Sequence, residues 1–306
     1  MKRKVLVLLG PTACGKTAFA VALARRIGGA IVSADSRQVY RGLDIGSGKD
    51  LEEYRSGGKE VAVRLLDVVD PAAAEPYTLA DFMRDAKKAI LELETCGLHP
   101  ILCGGTGLYL HALIKGYELP GGPADHEYRK NLSENDAARL AEHFSPNLKN
   151  GEESNLYRLS RRAEIERSPE RCSIHGGPLP DTEYLVLGLR RPRAEIHQRI
   201  ERRLDERLNS GMIEEVERLH QNGVSWEKLE SFGLEYREVS RYLQGKCGRQ
   251  EMRDHLLVKI RQFAKRQDTW FRKMEREGVP IHWLSSDAID EAEKRFLAFL
   301  QENPAN

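Results

Sequence analysis

With 306 residues the chain can bury a substantial core and has room for an inserted subdomain beside one main domain. Lysine and arginine number 48 against 47 acidic residues, a formal net charge of +1, which excludes a protein that holds polyanions by bulk charge; any nucleic-acid affinity must come from local clusters. The five cysteines stand singly, without C-x-x-C or zinc-finger spacing, no apolar run reaches the roughly 18 residues of a membrane span, and Met1-Lys2-Arg3-Lys4 leads into a strand pattern instead of a signal-peptide core, so a soluble, cytoplasmic protein with free thiols is expected.

In chain order, apolar, β-branched runs at Lys4–Leu9, Ala30–Ala34, Val63–Val69, Pro100–Cys103, Tyr184–Leu189 and Ile281–Leu284 predict strands, with helical periodicity between most of them. Such alternation predicts an α/β fold, an open parallel sheet with helices on both faces. From Gly121-Gly122-Pro123 to Gly176-Gly177-Pro178-Leu179-Pro180 the pattern becomes polar and helical, which predicts an inserted small helical subdomain over 120–181 between a first core part, 1–119, and its completion with C-terminal basic helices, 182–306. Long charged helices are expected over Pro192–Lys246 and Gln250–Glu277, with Gly211, Gly223 and Gly245 as terminators.

Gly10-Pro11-Thr12-Ala13-Cys14-Gly15-Lys16-Thr17 fits G-x-x-x-x-G-K-[ST] and lies between the first strand and a helical run, the context that pattern requires. A glycine-rich turn at a helix N-terminus points backbone N–H groups and a positive dipole at an anion, Lys16 adds a charge and Thr17 a hydroxyl ligand for Mg²⁺. The fold is therefore expected to be P-loop NTPase-like, and the ligand to carry a diphosphate.

Ligands of open α/β sheets lie beyond the carboxyl ends of the strands. Asp35, after the second strand, is placed to accept a proton or to orient hydrated Mg²⁺, although an aspartate there also suits a turn cap. Thr106, in Gly104-Gly105-Thr106-Gly107, offers a hydroxyl after the fourth strand, in a turn that serves equally as structure. Two basic clusters, Arg158, Arg161, Arg162, Arg167, Arg171 and Arg190, Arg191, Arg193, Arg199, Arg202, Arg203, Arg207, are joined by a third in which Lys259, Arg261, Lys265, Arg266, Arg272 and Lys273 mingle with Phe263, Trp270 and Phe271. Each could be a solvated face; together they favour an extended surface for RNA or phosphate. The residues alone leave open a small-molecule kinase, a transferase that expels diphosphate, and a non-catalytic RNA-binding protein.

The chain resembles the tRNA dimethylallyltransferases, or tRNA isopentenyltransferases, through Gly10–Thr17, Ser33–Lys49 (SADSRQVYRGLDIGSGK), Leu65–Pro71 (LLDVVDP), Gly104–Leu110 (GGTGLYL), Arg158–Arg161 (RLSR), Arg199–Arg203 (RIERR) and Ala264–Arg272 (AKRQDTWFR). The resemblance implies transfer of a dimethylallyl group from dimethylallyl diphosphate to N6 of the adenine next to the anticodon of tRNA, with Mg²⁺ and without an obligate protein partner, by a monomer of bacterial type. It makes Asp35 the base, Lys16, Thr17 and Arg203 stabilisers of the departing diphosphate, with Arg199 as a further candidate clamp, and residues Gly10, Pro11, Thr12, Ala13, Cys14 and Gly15 the cradle. It assigns Asp35, Ser36, Arg37, Gln38, Thr106, Arg129, Tyr157, Arg158, Ser160 and Arg161 to the tRNA route, with the insert gripping the anticodon arm. Departures from the family pattern are a shorter stretch between Pro120 and Asp181, Asn155-Leu156-Tyr157 before the arginine helix, Cys14 where serine is common, and Gly233-Leu234-Glu235-Tyr236-Arg237 in place of a glycine-tyrosine pair.

Overall fold

The computed structural model describes residues 2–55, 57–58, 60–119, 125–147, 156–167 and 176–302. The expected pieces at Gly121–Pro123, Asn155, Arg171 and Cys172, and the side chain of Tyr157, lie outside them. Six parallel strands, β1 (Arg3–Leu9), β2 (Gly29–Ser33), β3 (Val63–Arg64), β4 (His99–Gly104), β5 (Thr182–Arg190) and β6 (His282–Ser285), form one sheet in the order β3-β2-β4-β1-β5-β6. β1 lies between β4 and β5 and is buried from Val5 to Leu9, which is why its apolar run is unbroken instead of alternating. Each such side chain removed from water contributes about 1.5–3 kcal/mol.

The helices are α1 (Lys16–Ile27), α2 (Leu51–Arg55), α3 (Leu79–Thr95), α4 (Gly107–Lys115), α5 (His126–Lys130), α6 (Glu134–Phe144), α7 (Leu156–Arg167), α8 (Arg193–Asn209), α9 (Met212–Gln221), α10 (Trp226–Ser231), α11 (Leu234–Leu243), α12 (Arg249–Arg276) and α13 (Ile289–Gln301). Their ends follow local chemistry: Thr78 and Asp81 form a capping box at the start of α3, and α1 closes on Gly28 in the left-handed region. The expected breaks at Gly211, Gly223 and Gly245 all fall between helices, each glycine at positive φ. α12 buries Met252, Leu256, Ile260, Ala264, Gln267, Phe271 and Met274, one stripe at helical spacing that contains a single polar residue.

The third strand is much shorter than Val63–Val69. Beyond Arg64 the chain turns through Leu65 at φ 63° and Asp67 at φ 55°, and the Asp67 and Val69 N–H groups donate to the Gln38 and Val39 carbonyls instead of extending a ladder to β2. The turn brings the Asp67 carboxylate to Lys49, which is 1% exposed and also donates to Asp44 and to the Tyr40 carbonyl, both at 2.7 Å. A buried ammonium needs this full set of acceptors.

The chain divides into two compact units, residues Met1–Lys115 with Leu179–Asn306, and Gly116–Pro178, against the 120 and 181 expected from the glycine-proline punctuation. The smaller unit contains α5, α6 and α7. Among the described residues no helix is long and apolar enough to cross a membrane.

Candidate active site

The loop after β1 is built around backbone conformations that few side chains allow. Gly15, at φ 94°, caps α1 from the left-handed region, and Ala13 accepts φ 62°. Three carbonyls of the loop receive cationic donors: Lys16 Nζ to Pro11 O at 2.7 Å, Arg199 Nε to Ala13 O at 2.7 Å and Arg191 Nε to Cys14 O at 3.0 Å. The N–H groups of Gly15, Lys16 and Thr17 have no acceptor among the described residues, as at the start of any helix, and point-charge logic makes them an anion site.

Gln267 of α12 locks this loop to its neighbour. Its Oε1 accepts from Thr12 N at 2.7 Å while its Nε2 donates to Gly105 O at 2.9 Å, so one buried amide satisfies the phosphate loop and the turn after β4 together. That turn also needs glycine: a Cβ on Gly104 would lie 2.2 Å from the Ala34 carbonyl oxygen.

Past β2, Asp35 Oδ1 accepts from Arg37 N at 2.9 Å, which is the turn cap anticipated from its type, and Oδ2 has no partner among the described residues. Ser36 N donates to Thr106 Oγ1 at 3.2 Å, joining the turns after β2 and β4. Gln38 accepts from Ser33 Oγ and donates to Gly48 O, both at 3.1 Å. The following loop is pinned by Glu215, 2% exposed, which accepts from the N–H groups of Asp44, Ile45 and Gly46 and from the Tyr236 hydroxyl. Tyr236, in the segment that departs from the family pattern, is thus a buried brace whose ring leaves Gly46 no room for a Cβ.

These turns enclose a cleft of about 690 Å³ lined by Thr12, Ala13, Gly15, Lys16, Thr17, Asp35, Ser36, Arg37, Gln38 and Thr106, together with Arg199, Arg202, Arg203 and Arg207 from α8. Gly10, Pro11 and Cys14 complete the loop without lining the cleft; Cys14 is buried behind it. The cleft field is positive. Burial, and then the guanidiniums of Arg191, Arg202 and Arg203, hold the Arg199 pKa below its usual range; burial, then Arg203, does the same to Arg207. Arg203 itself pairs with Asp50 at 2.7 Å, and beside them burial and then Asp50 raise the Glu53 carboxyl. Asp50 and Glu53 line the cleft and carry no motif of their own; Gln267, which also lines it, falls within the Ala264–Arg272 motif and is legible besides as the polar member of an apolar stripe.

In the smaller unit, Glu164 of α7 is 2% exposed and binds two of the expected RNA-facing arginines: Arg129 through both Nε and Nη2, the latter at 2.7 Å, and Arg161 at 2.9 Å. Burial would raise this carboxyl, but the hydrogen bonds from Arg129 and Arg161 outweigh it and hold it below the usual range. Ser160 is buried and Arg158 exposed on the same helix.

The family model described as IPP transferase matches residues 38–274, and that described as isopentenyl transferase matches residues 3–62. The chain is 44% identical over 292 residues to tRNA dimethylallyltransferase 1 of Syntrophus aciditrophicus, covering 94% of this chain and 95% of that one. It is 45% identical over 292 residues to tRNA dimethylallyltransferase 2 of Treponema denticola, covering 92% and 96%. Among solved structures it is similar to the tRNA isopentenylpyrophosphate transferase of Bacillus halodurans, with a TM-score of 0.72, 29% identity and coverage of 98% and 97%. A P-loop NTPase-like sheet, these matched lengths and these identities together make the chain a member of the IPP transferase family, the tRNA dimethylallyltransferases.

Proposed function

We propose that the cleft transfers a dimethylallyl group from dimethylallyl diphosphate to N6 of the adenine next to the anticodon of a cytoplasmic tRNA, releasing diphosphate. The observation that carries this reading is the convergence in one cleft of the phosphate loop with a carboxylate, Asp35, one of whose oxygens has no donor among the described residues.

The chemistry breaks the allylic C1–O bond and forms a C1–N6 bond. Negative charge grows on the departing oxygen, where the N–H groups of Gly15, Lys16 and Thr17 and the Lys16 ammonium would meet it; the N–H groups are aimed before reaction and cost no reorganisation, while the ammonium would turn toward the anion from Pro11 O. Arg203 would leave Asp50 to bind the same diphosphate, with Arg199 behind the loop and bidentate geometry favouring guanidinium over ammonium. The amine must lose a proton as it bonds, and Asp35 is its acceptor, steadied by its bond from Arg37 N. Ser36, Arg37, Gln38 and Thr106 would orient the purine drawn from its stack.

Among the described residues no group of three metal-ligating side chains exists, so a cation here would be held by the Thr17 hydroxyl and ligand phosphates, the habit of Mg²⁺. Bound there, Mg²⁺ would neutralise diphosphate charge. In the smaller unit, Arg129, Tyr157, Arg158, Ser160 and Arg161 are proposed contacts to the anticodon arm. The test is to incubate the protein with dimethylallyl diphosphate, Mg²⁺ and unmodified tRNA, digest the RNA and weigh its nucleosides. An adenosine carrying a five-carbon group is expected; its absence, with ADP formed from ATP instead, would favour a kinase.

A further inference from the structure

Arg199, Arg203 and Arg207 recur every four residues along α8, so they share one face, and all three line the transfer cleft. Each guanidinium meets a different acceptor. Arg199 donates to the Ala13 carbonyl of the phosphate loop at 2.7 Å, and Arg207 lies 4.0 Å from Glu235. Arg203, the middle one, donates through Nη2 to Asp50 Oδ2 at 2.7 Å.

Tertiary contacts on both sides fix the turn that carries Asp50. Its neighbour Lys49 is buried and donates to the Tyr40 carbonyl, Asp44 and Asp67, while the Arg207 guanidinium packs so closely on Gly48 that no Cβ would fit there. Asp50 itself takes a left-handed φ of 29°. The carboxylate is therefore brought to Arg203 by the fold, yet the contact is a weak form of arginine–carboxylate pairing. It joins one donor to one oxygen, the two side chains are 27% and 34% exposed, and among the described residues no donor reaches Asp50 Oδ1. Glu53, at the next turn of chain, supplies a second acid: its N–H donates to Asp50 O at 3.0 Å, its Oε2 is buried with no partner among the described residues, and burial and then Asp50 raise its carboxyl. A diphosphate offers the Arg203 fork several oxygens and more charge than one carboxylate, so it wins the guanidinium from a single-point contact.

We infer that Asp50 is a displaceable counter-anion of the diphosphate site: it positions Arg203 beside the empty cleft, yields it when diphosphate binds and recovers it as diphosphate leaves. The inference rests on the proposed function for the identity of that diphosphate. Asp50 acts through Arg203 and is a positioning residue. Because substrate and product both carry the diphosphate, a competitor for Arg203 weakens the two alike; such uniform weakening raises KM, leaves the chemical step alone and keeps the released pyrophosphate from holding the cleft.

The test uses two variants that suit a left-handed angle, Asp50→Asn and Asp50→Gly, with thermal unfolding recorded to confirm the fold. Calorimetric titration with pyrophosphate and Mg²⁺ is run on wild type, both variants, Arg203→Ala and the double variant Arg203→Ala/Asp50→Asn. Both Asp50 variants should bind pyrophosphate about fivefold tighter, the upper range for removing a partly exposed ion pair from competition. The KM for dimethylallyl diphosphate and the inhibition constant of pyrophosphate should fall in the same ratio, while kcat does not rise. In the Arg203→Ala background the gain from Asp50→Asn should vanish, since the partner it competes for is gone. Unchanged or weaker pyrophosphate binding in both Asp50 variants would overturn the inference, and so would an undiminished gain in the Arg203→Ala background, which would make Asp50 a general negative charge. Wild type that binds pyrophosphate without prenylating tRNA would end the transfer reading and leave this comparison decisive; no pyrophosphate binding in any form would overturn both.

Discussion

Arg199 of the phosphate cleft and Arg129 and Arg161 of the smaller unit look alike in sequence and are used in opposite ways. Arg199 gives a hydrogen bond to a main-chain carbonyl, Ala13 O, and keeps its charge for whatever enters; burial, and then the neighbouring guanidiniums, lower its pKa. Arg129 and Arg161 instead converge on Glu164, which offsets their charge and knits α5 to α7. The contrast teaches that an arginine count measures nothing until each guanidinium is followed to its acceptor: a carbonyl leaves the charge in place, a carboxylate cancels it.

Removing charge where it is unopposed should hurt most. Lys16→Ala is expected to lower turnover by roughly 10²–10³-fold, the scale for losing one preorganised donor to a developing anion, with the circular-dichroism spectrum unchanged. Asp35→Ala should cost roughly 10²-fold in kcat while diphosphate affinity, read by calorimetry with Mg²⁺ and pyrophosphate, stays near wild type. Equal losses of binding and turnover at Asp35 would move it from proton acceptor to scaffold.

A smaller effect is expected where the cleft and its support meet. Gln267→Leu leaves the Thr12 N–H and the Gly105 carbonyl unpaired, which should cost about 2 kcal/mol in urea unfolding and raise the KM for dimethylallyl diphosphate. The smallest effect belongs to the cluster around Glu164. Glu164→Gln should cost about 1 kcal/mol at pH 7, since the amide oxygen can still accept one of the guanidinium bonds. Because the folded-state carboxyl lies below its ordinary range, the wild-type contribution is present above the unfolded glutamate pKa, about 4.3, and is lost as pH falls through the lower folded value. The variant should therefore converge with wild type in acid; a constant gap at all pH values would remove charge from the explanation.

Much of this architecture was legible because it is local. β1 reads as a strand from its unbroken apolar run, and Gly10–Thr17 reads as a phosphate loop from spacing between strand and helix. β3 was overread because Leu65 and Asp67 take left-handed backbone angles that their side chains do not announce; the reward for the turn is an Asp67–Lys49 pair made by tertiary contact. The Asp50–Arg203 pair joins positions far apart in the chain, and nothing near either one signals it. Gln267 could have been found as the polar member of a stripe at 252, 256, 260, 264, 267, 271 and 274, but its two partners could not, since both are main-chain atoms of distant turns.

The positive phosphate loop of the cleft is proposed to serve a departing diphosphate while a purine amine bonds to carbon. The most direct test follows pyrophosphate release and prenyl-adenosine formation together in one reaction of wild-type protein with dimethylallyl diphosphate, Mg²⁺ and unmodified tRNA. The two products should appear mole for mole, and neither without RNA; pyrophosphate release that ignores RNA, or prenylation that persists in Lys16→Ala at the wild-type rate, would contradict the account.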